Sequence, residues 1–591
     1  MSDIRKMLHL IGRANRAKWV LLILLALLAT GLEVLGAALV YVLLALVADP
    51  GSVIPLPVVG DVRGYFDVDE QTLLLGLAAA MGGFFVIRAA VHVGEIYVQN
   101  RVGHTVGARL ATKMVHGYLS MPYSFHLHRS SSDLIRNGHQ AVKELVSQLF
   151  LPLIRVSAEI ILVLGMLALL VAVEPAATAL AVLIIGGTAV VMLLVIQPRL
   201  KRLGKVRHQM ERATLNTLQQ SFHGVRDVKA LGLEWEFSNR YGRDRTRLAR
   251  ASYLKSTASD LPKTVMELAL LGFILLIFVM AIVDGEGAGG TLSSLGLFAY
   301  AGLRVQPSLQ KIIGGLNNLK FANAPLDDLH RDLLMVEAED QPDSDVQPLP
   351  FRSELRLDSV AFRYPTADRD ALTGISISIR AGEVIGICGP TGGGKTTLTD
   401  IATGLLEPTT GTVTVDGLDL KLHARAWQRS LGIVPQMVSM TDESLRKNIA
   451  LGVPSRKIDE EAVQEAVHLA QLSEFVASLA EGLDTVVGER GVRISGGQRQ
   501  RLAIARALYR RPKVLVFDEG TSALDNATER EVMTALERLR GDHTIILVAH
   551  RLSTVKKADR IMLVNQGRCD ALGTYQELMD TSASFRNLAT S

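Results

Sequence analysis

The chain has 591 residues, 48% of them hydrophobic and 21% charged, with a formal charge of +4, a mean hydropathy of +0.26 and an isoelectric point of about 8.9. That is too apolar for an ordinary soluble enzyme and too polar for a chain wholly inside a bilayer, so a membrane part joined to a soluble part is implied. The aliphatic content excludes intrinsic disorder, and a count of two cysteines, Cys388 and Cys569, excludes a secreted disulfide scaffold.

Arg5, Lys6, Arg13, Arg16 and Lys18 precede an apolar run from Trp19 to Val47. The run is longer than a signal-peptide core and is expected to be retained as a span. Six apolar segments follow this pattern, at about 19–47, 73–99, 151–173, 176–197, 265–283 and 291–313. Each approaches or reaches the roughly 20 residues that cross a hydrocarbon core. The connection 49–70 carries Asp49, Asp61, Asp67, Asp69 and Glu70 against Arg63, and the turns at Glu174-Pro175 and 284–290 have no Lys or Arg. Stretches 101–150 and 198–263 are rich in both. The positive-inside rule therefore puts these two stretches and both termini in the cytoplasm. Basic residues beside apolar runs point to membrane lipids as partners, not to nucleic acid.

The two cytoplasmic stretches read as helix throughout, so the spans are expected to continue beyond the membrane. An extension of about 25 residues reaches about 37 Å at 1.5 Å per residue. Interruptions around 122–137 and 222–237 are where the long helices can turn back. In 49–70, Ile54, Leu56, Val58, Val59, Tyr65 and Phe66 suit an interfacial element, with Pro55 and Pro57 confining any helix to its later part. The acidic, non-periodic segment 336–352 marks a linker. It divides a membrane domain, 1–335, from a soluble domain, 353–591.

In the soluble half an apolar strand, Val384–Cys388, enters Gly389-Pro390-Thr391-Gly392-Gly393-Gly394-Lys395-Thr396 and then a helix. This is the GxxxxGK[ST] phosphate loop in its strand–loop–helix context. Backbone N–H groups must converge on phosphate oxygens, and glycines keep Cβ atoms out of the way. A helix N-terminus adds a favourable positive end. Lys395 is placed to contact the β- and γ-phosphates of ATP, Thr396 to ligate Mg²⁺ and Thr397 to add a hydroxyl contact. Downstream, "VLVFDEGTSALD" (514–525) reads as a buried strand ending in Asp518 and Glu519. Asp518 is expected to hold Mg²⁺. Glu519 is expected to orient and deprotonate the attacking water, a role worth about 10²–10⁴ in rate.

Between these elements lies "RISGGQRQRLAIARAL" (493–508). With the phosphate loop and the Asp-Glu pair, it resembles the ATP-binding cassette (ABC) family, with Ile494 in place of the usual Leu. The resemblance covers essentially the whole chain. It implies a six-span α-helical membrane domain with long cytoplasmic extensions, fused to an α/β P-loop nucleotide-binding domain with a helical subdomain. It implies further that Tyr364 stacks on adenine, that Gln436 contacts Mg²⁺, and that Ser495, Gly496, Gly497 and Gln498 form the signature loop. Asp525 then belongs to a loop crossing a dimer interface, and His550 steadies the γ-phosphate. Gly520 replaces the family's usual Ala or Pro. The turns at 122–137 and 222–237 look like the family's coupling helices, and "TVVGERG" (485–491) is similar to a segment that touches the cytoplasmic arms. A phosphate loop and a signature loop about a hundred residues apart in one chain suit a homodimer in which each ATP is gripped by both copies.

Ionisable residues inside spans cost about 2.5–3.5 kcal/mol at the bilayer centre, so each asks for a reason. They are Glu33, Arg88, Arg155, Glu159, Lys263, Glu267 and Arg304. Arg155 and Glu159, and Lys263 and Glu267, stand at i,i+4 and can pair. Arg88 and Arg304 lie about 15 and 13 residues into spans entering from outside, about 20 Å deep, with no acid at helical spacing in their own spans. They suit an anionic head group held bidentately. "HRSSSDLIRN" (128–137) and "SLGLFAYAGLRVQPSLQKI" (294–312) resemble bacterial flippases of lipid-linked oligosaccharides. That resemblance implies an inner-membrane protein moving a polyprenyl-pyrophosphate glycan outward. A multidrug, lipid or peptide exporter, and an ATP-gated channel, are the alternatives.

Overall fold

A computed structural model of the chain describes residues 3–12, 16–48, 70–283, 288–321, 323–339, 346–365, 367–488, 494–518, 534, 537–549 and 552–590. It divides into two compact units. The first comprises Met1–Ser120 and Ser130–Asp340, the second Met121–Arg129 and Gln341–Ser591.

The first unit is helical. After α1 (Asp3–Ile11) come α2 (Arg16–Ala48) and α3 (Glu70–Ser120). In the second unit α4 (Tyr123–His128) is a single short helix. The first unit resumes with α5 (Asp133–Val173), α6 (175–223), α7 (Val225–Ala230), α8 (Glu234–Val283), α9 (Ala288–Phe321) and α10 (Asn323–Ala338). Helices of 51 and 50 residues, α3 and α8, outrun any bilayer core. The short α4 and α7 stand at the two interruptions read from the sequence. Pro122 precedes α4, and Gly224 precedes α7.

Among the described residues, five helical stretches, within α2, α3, α5, α6 and α8, are long and apolar enough to cross a membrane. The segment expected at 291–313 lies in α9, where Arg304, Gln306 and Pro307 dilute the apolar run. The element expected in 49–70 lies outside the described residues up to Asp69, and Glu70 opens α3. Helix α9 packs on α2 and α5, while α8 pairs with α6. Ala37, Leu162, Met166, Phe273, Leu297 and Phe298 fill one buried seam among them. Many side chains on the outer faces of these helices are large, apolar and exposed, such as Leu75, Val86, Leu183 and Leu194. That is the surface a hydrocarbon solvent requires.

The second unit is built on two sheets. One has order β2-β1-β4-β5, all antiparallel, from β1 (Glu354–Phe362), β2 (Leu372–Arg380), β4 (Thr410–Val415) and β5 (Leu418–Asp419). The other has order β10-β9-β3-β8-β7-β6. Its parallel strands are β3 (Val384–Cys388), β6 (Leu431–Val434), β7 (Val514–Asp518), β8 (Thr544–Val548) and β9 (Arg560–Asn565). The antiparallel β10 (Arg568–Gly573) sits on its edge. Strands β3 and β8 are buried at every residue, as a parallel sheet covered on both faces demands. Helix α11 (Lys395–Ala402) follows β3, and α12 (Leu420–Ser430) precedes β6. Trp427 of α12 is fully buried and its indole N–H donates to the Ala402 carbonyl at 2.9 Å, so the two helices are tied at the end of α11. Helices α13 (Leu445–Ile449), α14 (Glu460–Leu469) and α15 (Gly496–Leu508) share a second apolar core with the parallel sheet through Ile449, Val463, Val467, Leu502 and Ile504.

Candidate functional site

The phosphate loop grows from the C-terminal end of β3. Gly389, Gly392 and Gly394 have φ of 147°, 76° and 105°, conformations closed or costly to residues with a Cβ. A Cβ on Gly389 would press into the Val564 carbonyl oxygen of β9, and one on Gly394 would stand 2.8 Å from the Ala371 carbonyl oxygen. Lys395 opens α11 and is 4% exposed. Its ammonium donates to the carbonyls of Gly389 at 3.0 Å and Pro390 at 3.1 Å. A buried cation is thus held at the loop's centre, while Pro390, Thr391, Gly392 and Thr396 face solvent.

The acidic half of the site is carried by the same sheet edge. Asp518 ends β7 and pairs with Val548 of β8, and Val548 pairs on its other side with Ile387 of β3. Asp518 and the start of the loop therefore stand level and two strand spacings apart, about 10 Å. Gln436 follows β6, the strand beside β7, and is exposed. A glycine cradle with no room for a Cβ at Gly389 or Gly394, a buried lysine and a level carboxylate fit a nucleoside triphosphate and its divalent cation. The hydroxyl of Tyr364 shares a 3.0 Å hydrogen bond with Thr397 Oγ1, which brings the aromatic expected to meet adenine to the first turn of α11. Glu519, Asp525 and His550 lie outside the described residues.

The signature segment starts α15. Ser495 is its N-cap in a reciprocal capping box: Gln498 N–H donates to Ser495 Oγ at 3.2 Å, and Ser495 N–H to Gln498 Oε1 at 2.8 Å. The box directs the N–H groups of the first turn outward at exposed Gly496 and half-buried Gly497, a ready anion site.

Asp400 escaped the sequence reading. It lies on α11, and burial, then the nearby Asp518 charge, push its carboxyl up to about 6. Tyr123 of α4 is held above the usual phenol range by burial, then by Asp400 and Tyr364. Only the spacing of five residues from Lys395 could have pointed to Asp400.

In the helical unit, Arg88 of α3 and Arg304 of α9 meet on one acid. Glu33 of α2 is buried, and its Oε2 lies 3.1 Å from Arg88 Nη1 and 3.3 Å from Arg304 Nε. Arg88 Nη1 also donates to the Tyr300 hydroxyl at 3.0 Å, and its guanidinium sits 5.2 Å from the Phe85 ring centroid. Gly36, one turn from Glu33, makes room: a Cβ there would be 3.3 Å from Phe84 and Phe85 and 3.6 Å from Arg88 Nη1. Neither arginine has an acid one turn away in its own span, but α2 supplies one to both. The pairing expected of Arg155 with Glu159 gives way to another. Lys311 of α9 donates to Glu159 at 2.5 Å and Arg155 to Asn100 at 3.2 Å, because α9 packs against α5.

Two family descriptions match the chain: ABC transporter over residues 372–522, and ABC transporter transmembrane region over 19–295. The ATP-dependent lipid A-core flippase of Alkalilimnicola ehrlichii is 30% identical over 539 residues, 89% of each chain. The protein of the same name from Ralstonia nicotianae is 30% identical over 569 residues, 94% of each chain. A solved bacterial Atm1-family ABC exporter with ATP bound matches the fold with a TM-score of 0.76 at 24% identity, over 98% of this chain and 99% of that one.

Proposed function

The chain belongs to the ATP-binding cassette transporter family, and on that premise we propose that it is a flippase for an anionic lipid-linked substrate. It is a multi-pass membrane exporter that couples ATP hydrolysis to transport. Its substrate in this reading is a polyprenyl-pyrophosphate oligosaccharide, carried from the cytoplasmic to the outer side of a bacterial inner membrane, with both termini cytoplasmic. The observation that carries the reading is the convergence of Arg88 and Arg304 on Glu33 inside the helical unit, with Tyr300 against Arg88. Phosphate is the partner for which two guanidiniums and a phenol are suited. The relatives named lipid A-core flippase support a lipid cargo.

The engine is a homodimer. Each ATP lies between the phosphate loop of one copy, Gly389 to Thr397 with Tyr364 at the base, and Ser495 to Gln498 of the other. Thr396, Gln436 and Asp518 would hold Mg²⁺, which when bound would offset phosphate charge. Glu519 takes a proton from the attacking water, Lys395 and His550 hold the γ-phosphate, and Asp525 crosses the seam. ATP binds the closed state better than the open one, so binding closes the dimer and hydrolysis releases it.

The test is stimulation of ATP hydrolysis in phosphatidylcholine vesicles by polyprenyl pyrophosphates, other anionic lipids and cationic drugs. The proposal expects the pyrophosphate lipids to stimulate at the lowest concentration. Stimulation by the drugs alone would replace this reading with a multidrug exporter.

A further inference from the structure

The geometry points to Glu33 as a built-in competitor of the substrate's phosphate: its carboxylate occupies the arginine pair at rest, and the anionic head group must displace it. The inference rests on the proposed phosphate site and adds to it a residue that sets the threshold for loading.

Three observations converge. First, one carboxylate oxygen is shared: Glu33 Oε2 faces both Arg88 Nη1 and Arg304 Nε. The contacts are ion pairs, and Glu33 Oε2 accepts no hydrogen bond among the described residues; a carboxylate and a phosphate compete for the same guanidinium charge, so both cannot occupy the space against the two arginines at once. Second, two guanidiniums share one carboxylate oxygen, while the neighbouring Lys311 is matched by Glu159 and the buried Glu95 of α3 by His92 and Gln99. Neither arginine therefore has a carboxylate to itself. Third, unused donors flank the shared oxygen. Arg88 Nε–H is buried and has no acceptor among the described residues. The Tyr300 oxygen already accepts from Arg88, which leaves its O–H to donate elsewhere.

A single carboxylate cannot reach all these donors, whereas a phosphate with three oxygens can. A head group bearing a phosphate or pyrophosphate thus gains contacts that Glu33 cannot make, while a neutral head group has nothing to offer in exchange. Glu33 screens the pair against weak anions and yields to polyvalent ones, so discrimination comes from a repulsive element as well as an attractive one. Because α2, α3 and α9 each contribute one member, displacement also frees three helices from a common ionic tie.

The test uses the full-length protein in phosphatidylcholine vesicles, with undecaprenyl pyrophosphate as probe and undecaprenol as its neutral counterpart. The readout is the lipid concentration giving half-maximal stimulation of ATP hydrolysis. Glu33→Gln should lower that concentration for the pyrophosphate by about tenfold, the scale of one partly buried ion pair no longer competing with the ligand. Undecaprenol should respond no better than with the wild type. Glu33→Asp, with its carboxylate drawn back by one methylene, should give a smaller shift in the same direction, and it decides the matter if Glu33→Gln fails to fold. An unchanged or raised concentration in the folded variants, or an equal gain for undecaprenol, overturns the inference. Arg88→Ala and Arg304→Ala separate the two levels. If they raise the half-maximal concentration while the Glu33 variants do not lower it, the competitor role falls and the phosphate site stands. If they too change nothing, both fall.

Discussion

The phosphate loop makes a prediction in which two neighbouring glycines part company. Gly392 has φ of 76° with nothing within 4 Å of a Cβ placed on it, whereas Gly389 has φ of 147° and its Cβ would enter the Val564 carbonyl. For Gly392→Ala the cost is left-handed backbone alone, about 1 kcal/mol. Gly389→Ala adds a collision with the backbone of β9, a strand held on both sides by β10 and β3 that cannot yield as a flexible side chain would. A Gly-only backbone region costs about 1–3 kcal/mol and overpacking about 1–3 kcal/mol more, so about 4 kcal/mol is expected. For a unit of this size each kcal/mol moves the melting midpoint by roughly 2–4 °C. Thermal unfolding of the purified protein, followed by a probe in the nucleotide half, should show about 3 °C lost for Gly392→Ala and about 12 °C for Gly389→Ala. Equal losses, or the larger one at Gly392, would refute the steric reasoning and with it the close seating of the loop on β9.

Cys388 is buried in β3 and its thiol is pushed up to about 12 by burial. A maleimide at pH 7.5 should therefore label exposed Cys569 and spare Cys388 in the folded protein, and mass mapping of the label reads this directly. Asp400 holds its proton more tightly in the fold, at about 6, than in the unfolded chain, so its charge costs stability above that pH, and the cost fades as pH falls from about 6 to 4. Asp400→Asn should be more stable than wild type at pH 7 by about 1 kcal/mol after solvent screening, with the difference vanishing near pH 4. A constant difference across a pH series of melts would contradict the assignment. Trp427→Phe leaves the Ala402 carbonyl without its indole donor and should destabilise the nucleotide unit by about 1–3 kcal/mol, read as a lowered melting midpoint.

What could be read from the sequence is what is local in the chain. The phosphate loop is eight consecutive residues bounded by a strand and a helix, so its chemistry and geometry are written together. The turns that became α4 and α7 were readable because Pro122 and Gly224 interrupt long helical runs. The Ser495 capping box follows from Ser and Gln three residues apart. Contacts between helices were not readable. Arg88 and Arg304 find Glu33 only because α2, α3 and α9 pack together, and nothing in any one helix encodes that choice. Arg155 and Glu159 have spacing that permits a pair, yet Lys311 lies across the α5–α9 seam and takes the acid. Helix α9 reads weakly as a span for a related reason: it carries the Arg304 and Lys311 that these acids neutralise, and hydropathy counts such residues as if they faced lipid.

The most direct test follows pyrophosphate-lipid translocation and ATP hydrolysis in the same vesicles, for wild type and Glu519→Gln. A lipid cargo driven by hydrolysis predicts that the wild type moves the lipid only with Mg²⁺-ATP, and that Glu519→Gln binds ATP yet neither hydrolyses it nor moves lipid over repeated cycles. Normal hydrolysis by Glu519→Gln, or brisk hydrolysis by the wild type with the lipid left where it began, would contradict it.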